Sequence, residues 1–181
     1  LTIKPKFALD TPQKDQNRLI YPFKNNTAKK VFTLGGSVIK EDILLENYIR
    51  KKMTFKYELE IPDYTTARIE SDGSLGVYGP ENKLLMGDVS TGNQQDTDLL
   101  DNARANSPKK TLLFRLPAPY IVEANQKVSQ TAKASFSLTG NELTVDATDL
   151  DRALYPITID PSVYIETAAK LMRGNNETNT D

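Results

Sequence analysis

Three aspartates, Asp146, Asp149 and Asp151, come nearest in type and spacing to a metal site. Calcium takes about 6–8 oxygen ligands, and carboxylates two or three positions apart in a loop could converge on one ion. The stretch lacks the spaced Asp/Asn, Gly and distal Glu of an EF-hand loop, and capping a turn or short helix is the plainer use of Asp here. Calcium is the one cofactor that the sequence leaves open. Asp96, Asp98 and Asp101 form a second acidic group, whose spacing also suits the start of a helix. Paired carboxylates hydrolyse glycosides when held about 5–9 Å apart across a sugar ring. Glu58 with Glu60, and the adjacent Glu41 and Asp42, are the candidates for that chemistry, although carboxylates on a strand's outer face are nearly always solvated. Tyr48, Tyr64, Tyr78, Tyr120 and Tyr164 could present rings to a sugar, but Tyr is equally at home in a β core and there is no Trp.

The catalytic inventory is otherwise thin. The 181 residues contain no Cys, no His and no Trp. Thiol nucleophiles, zinc–thiolate sites and disulfides are excluded, and so is the usual general base near neutral pH. Net charge is −1, so no long-range field favours nucleic acid or anionic lipid. The short basic clusters Lys29-Lys30, Arg50-Lys51-Lys52 and Lys109-Lys110 have acidic neighbours and read as solvated strand ends. No apolar run approaches the roughly 20 residues of a membrane span. Hydrophobic residues make up 38% and charged residues 26%, the balance of a folded chain. Composition points away from an enzyme and from nucleic-acid or membrane partners.

The elements that must position these groups are strands. Phe55, Tyr57, Leu59 and Ile61 alternate with Thr54, Lys56, Glu58 and Glu60, which places apolar side chains on one face of a pleated strand. Ala134, Phe136 and Leu138 repeat the pattern, Gly140-Asn141 turns the chain, and Leu143 and Val145 face inward on the return, so 131–147 reads as a hairpin. A second hairpin is expected from 31–34 through Gly35-Gly36 to 38–45, with Glu41-Asp42 as a bulge or edge guard. Asp72-Gly73 joins strands at 67–70 and 75–78, and 111–116 is a further strand stopped by Pro117 and Pro119. Helix is scarce. One or two turns are expected at 96–105 within a polar excursion at 88–109, and another short helix at 166–172. The pattern predicts an all-β protein, an antiparallel β-sandwich or related two-sheet packing. Residues 31–165 form the expected sandwich-like domain, and 166–181 lead towards a following domain. Strand-like pieces at 3–9 and 19–23, separated by a polar stretch at 11–17, leave open whether 1–30 belongs to that domain or stands apart. The Leu1 start and the polar last residues suggest a piece of a longer polypeptide.

Several phrases, in order, carry a resemblance. Ile39-Lys40-Glu41-Asp42-Ile43-Leu44-Leu45 is similar to a "VKEDIVL" phrase, and Leu113-Phe114-Arg115-Leu116-Pro117-Ala118-Pro119 to "F-x-(I/L)-P-A-P". Tyr155-Pro156-Ile157-Thr158-Ile159-Asp160-Pro161-Ser162-Val163 is similar to "YPVTIDPTV". Together they resemble a β-rich segment of large exported bacterial surface proteins that also carry RHS-type, DNRLRE-type or lectin-like domains. The resemblance covers about residues 31–165 and brings no catalytic residues with it. It implies an extracellular or cell-surface setting and a non-catalytic structural or adhesive module. The implied partners are neighbouring domains of the same polypeptide, a cell-surface protein or a glycan. The alternative function is a carbohydrate-binding module, and the third a carboxylate-dependent glycoside hydrolase. A Lys–Asn isopeptide bond, as in Gram-positive surface modules, has no diagnostic triplet in this sequence.

Overall fold

Strand-forming alternation governs nearly every element of the computed structural model, which describes residues 2–35, 38–81, 93–160 and 165–166. In β6 (Met53–Glu60) Phe55, Tyr57 and Leu59 are buried while Lys56, Glu58 and Glu60 are exposed. β6 lies inside a four-stranded antiparallel sheet of order β1-β6-β12-β11, with β1 at Thr2–Pro5, β11 at Lys133–Thr139 and β12 at Glu142–Thr148. Thr139 pairs with Glu142 across the two-residue turn, where Gly140 has φ +58°. Space around a Cβ at Gly140 is open, so it is this left-handed backbone that favours glycine there.

The second sheet runs β10-β13-β5-β4-β3-β2. Its strands are β2 (Gln13–Asp15), β3 (Arg18–Pro22), β4 (Lys29–Gly35), β5 (Val38–Leu45), β10 (Tyr120–Val122) and β13 (Ile157–Asp160). Two short partners share β5: β13 pairs at Ile43–Leu45, and β14 (Ile165–Glu166) at Ile39 and Val38. A third sheet of order β7-β8-β9 contains Thr66–Ile69, Leu75–Gly79 and Thr111–Leu116, with a register shift between Val77 and Tyr78. The protein is therefore all-β and sandwich-like, as its alternating pattern requires.

The core collects Ile43, Leu45, Ile121, Ile157 and Ile159 from the six-stranded path with Phe55, Tyr57, Leu59, Leu143 and Val145 from the four-stranded sheet; Leu75 and Leu116 join from the third. Burying each such side chain contributes roughly 1.5–3 kcal/mol. The first 30 residues are divided between both main sheets: β1 pairs with β6, and β3 with β4. Phe7 stacks on Phe23 at 4.4 Å, and both meet Phe55 edge-on. This aromatic cluster ties the N-terminal stretch to the core.

Four expectations change. β5 is one unbroken strand that pairs in regular register with β4, Glu41 with Phe32 and Asp42 with Val31, and has β13 and β14 along its other side, so no bulge forms there. Lys30 is not a solvated strand end; it is 3% exposed because its position on β4 faces the sandwich interior. The expected short helix in the 88–109 excursion is α1 (Gln94–Asn106), 13 residues long, started by Asn93, whose side chain accepts from the N–H groups of Gln95 and Asp96. None of its residues is buried. Glu166 belongs to β14 and not to a helix; 167–172, the rest of that expected segment, and 82–92 lie outside the described residues.

Candidate functional site

Alternation assigns the odd residues of β5 to the inner face of its sheet and the even ones to the opposite face. Both faces of this strand carry charge. Inside, Lys30 Nζ lies 2.9 Å from Glu41 Oε1, with Tyr57 Oη 3.5 Å from the same oxygen. The Lys30 ammonium also stands over the rings of Phe32 and Tyr57, at 5.0 and 5.3 Å from their centroids. Tyr57 belongs to the facing sheet, so this group joins the two layers of the sandwich. Burial, reinforced by the Glu41 charge, pushes the Tyr57 hydroxyl's pKa well above its usual value.

On the opposite face, Lys40 Nζ is 3.0 Å from Asp42 Oδ1 and 3.0 Å from Asp160 Oδ2. Tyr120 donates its hydroxyl to that same Asp160 oxygen at 2.5 Å. Register explains the meeting: Tyr120 pairs with Asp160 between β10 and β13, and Ile159 pairs with Ile43 beside Asp42 on β5. Asp160 is fully buried and Asp42 nearly so. Desolvation raises the pKa of Asp42 despite the nearby ammonium. Burial alone would lower that of Lys40, but the adjacent carboxylates of Asp160 and Asp42 hold it above its ordinary value. Two carboxylates thus share one ammonium on the outer face of the largest sheet.

The four-stranded sheet carries its charges in water. Lys6 and Lys56 both bond Glu142, at 2.8 and 2.7 Å, and Lys4 bonds Glu60. These two lysines hold the Glu142 carboxyl at about 2. Asp146 belongs to this lattice: it accepts from Thr54 Oγ1 at 2.7 Å and lies 3.2 Å from Lys52 Nζ. Asp149 is the left-handed residue that starts a short 3-10 helix, Leu150–Arg152, with Lys51 at 3.8 Å, and Asp151 lies within that helix, exposed. The fold does not gather these three aspartates, and among the described residues no three carboxylates are placed to hold an ion. Asp96, Asp98 and Asp101 lie along exposed α1.

The tyrosines are scattered. Tyr64 lies under Arg104, with the guanidinium 5.1 Å from its ring. Tyr78 lies under Arg68 at 4.3 Å and donates to Glu70 at 2.8 Å, beside a hollow of about 190 Å³ that also holds Asp72 and Arg115. Glu70 and Asp72 both have pKa values below the usual carboxylate range, Glu70 through Arg68 and Tyr78, Asp72 through Ser74 and Arg115. Tyr48 is half exposed and meets Tyr155 edge-on at 6.3 Å; Tyr164 lies outside the described residues. A larger hollow of about 530 Å³ opens between the β10–β11 and β12–β13 connections, lined by Asn125, Gln130, Thr131 and Arg152 among others, with exposed Val128 and Leu154 at its sides. Sequence reasoning did not find it, because neither connection carries a motif.

No known protein family matches the chain, and no curated protein or solved structure shows significant similarity to it. Among the described residues no helix is long and apolar enough to cross a membrane.

Proposed function

We propose that this chain is a non-catalytic structural or adhesive module of an exported multidomain surface protein, working beside neighbouring domains of the same polypeptide. One observation carries the reading: several of its carboxylates tie neighbouring strands together. Glu60, Glu142 and Asp146 staple β1, β6 and β12 on the solvent face, while Glu41, Asp42 and Asp160 bind lysines within the large sheet. Glu70 and Asp72, the carboxylates beside a hollow that Tyr78 lines, have lowered pKa values, Glu70 through Arg68 and Tyr78 and Asp72 through Ser74 and Arg115, whereas a glycosidase's general acid needs a raised one. Charge committed to holding strands together suits a load-bearing or spacing element. The exported setting rests on the ordered sequence phrases.

The test is a module exchange in the parent polypeptide. Replacing residues 1–166 with an unrelated β-sandwich of equal length should preserve surface display and the neighbouring domain's binding if the role is spacing. Loss of cell attachment with display intact would assign adhesion to this module itself. Loss of neither display nor attachment on complete removal would defeat both forms of the proposal.

A second reading, a carbohydrate-binding module, draws on the 530 Å³ hollow. Side-chain amides, a hydroxyl and a guanidinium can bond sugar hydroxyls there while Val128 and Leu154 cover their C–H faces. A glycan array on which Arg152→Ala removes a reproducible signal would favour it; an array with no reproducible binder would end it.

A further inference from the structure

The geometry points to an intramolecular amide bond between Lys40 and Asp160, formed by condensation within the folded protein. The inference stands whether the module spaces, adheres or binds sugar. Four side chains from three adjacent strands supply it. Lys40 Nζ lies 3.0 Å from Asp160 Oδ2, and so no more than about 4.2 Å from Cγ, one C–O bond further. Near-attack distances are roughly 3–3.5 Å, so a displacement of about 1 Å separates the ion pair from a reactive contact. Tyr120 donates to that Oδ2 at 2.5 Å and polarises the carboxyl from the far side. Asp42 Oδ1 lies 3.0 Å from the same ammonium, yet it is buried and accepts no well-formed hydrogen bond.

This last point sets the cluster apart from an ordinary salt bridge. One carboxylate is enough to neutralise a lysine, and a second one buried beside it raises the desolvation cost. As a proton carrier, Asp42 has a task. It takes a proton from the Lys40 ammonium, leaving a neutral amine whose lone pair attacks Asp160 Cγ. The Nζ–Cγ bond forms and the bond from Cγ to Oδ1 breaks, while Oδ2 remains as the amide oxygen held by Tyr120. Asp42 returns its proton to the departing oxygen, which leaves with a second proton from nitrogen as water. One ammonium and one carboxylate become one amide and one water, with no oxidant or co-reactant. The paired carboxylates favour the charged ammonium, so its deprotonation limits the rate and the bond forms slowly after folding. Lys40 remains about one-third exposed, which leaves a path for the water out. The product ties β5 to β13 across 120 positions of sequence and would restrict the unfolded chain as a disulfide closing a long loop does.

Intact mass spectrometry of the purified, folded full chain tests this directly. The expected mass is short of the sequence mass by one water, and proteolysis should yield a single branched species joining the peptides that contain Lys40 and Asp160. Asp160→Asn should be short by one ammonia, because the leaving group becomes the amide nitrogen. Lys40→Arg retains the ion pair but cannot condense, and should show full mass with unchanged circular dichroism and a lower melting temperature. Asp42→Asn should fold and show mostly full mass. Full mass for the natural sequence after prolonged incubation, or a lost water mapped to any other pair of residues, overturns the proposal.

Discussion

The two main sheets use charge in opposite ways. On the four-stranded sheet, ionic pairs such as Lys6–Glu142–Lys56 and Lys4–Glu60 lie in water, on the face left over when Phe55, Tyr57 and Leu59 turn inward. Such pairs cost little to form and contribute little, because solvent screens both partners. In the larger sheet, Lys30–Glu41 and Lys40–Asp42–Asp160 lie in or near the interior, where removing one partner strands a charge away from water. The lesson is that similar strand patterns carry different consequences when the tertiary environment differs. The buried set joins layers as well as strands, because Tyr57 of the facing sheet meets Glu41.

The largest break in that contrast comes from Lys30→Ala. It leaves Glu41 without its cation and should cost about 3–5 kcal/mol in urea unfolding, whereas Lys30→Met with Glu41→Leu should recover most of the loss. A loss below about 1 kcal/mol for the single change would place this pair with the solvent-facing ones. Tyr57→Phe comes next. Removing the hydroxyl beside Glu41 should cost about 1 kcal/mol, and a neutral result would show that the contact between layers is only one of packing.

Acid sharpens the comparison because the two regions titrate with opposite sign. Glu142 is lowered in the fold from 4.5 to about 2, so the stability it adds is complete above 4.5 and is lost as pH falls through about 2. Asp42 is raised above 3.8 in the fold, so its contribution is complete below 3.8 and is lost as pH rises through its folded value. Glu142→Gln should flatten the decline of the unfolding midpoint between pH 4.5 and 2, by an amount that shrinks in high salt. Asp42→Asn should flatten the opposing slope just above pH 3.8. Equal salt sensitivity for the two variants would contradict the difference in burial. The smallest expected effect is that of calcium. Thr54 and Lys52 already engage Asp146, so millimolar calcium should leave the melting temperature unchanged; a rise abolished by Asp149→Ala would show the loop recruiting an ion.

Much of the strand inventory was legible because alternation is a local property. The β11–β12 hairpin follows from Ala134, Phe136 and Leu138 with a Gly140 turn, and β9 occupies the expected 111–116. The full length of α1 is not legible in the sequence because none of its residues is buried, although Asn93 is a capping residue. The charged clusters were not legible. Lys40 and Asp42 share a strand face by their spacing, but Asp160 reaches them only through the pairing of β13 with β5, which nothing near residue 160 encodes. Lys30 beside Lys29 looks like any solvated basic pair until β4 lies between β3 and β5.

By itself, then, the sequence determined the all-β character, most turns and the absence of thiol and imidazole chemistry, since backbone preference and side-chain type act locally. The tertiary structure alone decided which charges are buried, which carboxylates share a lysine and where hollows open. Those properties depend on strand order and register, and bring together residues as far apart as Lys40 and Asp160.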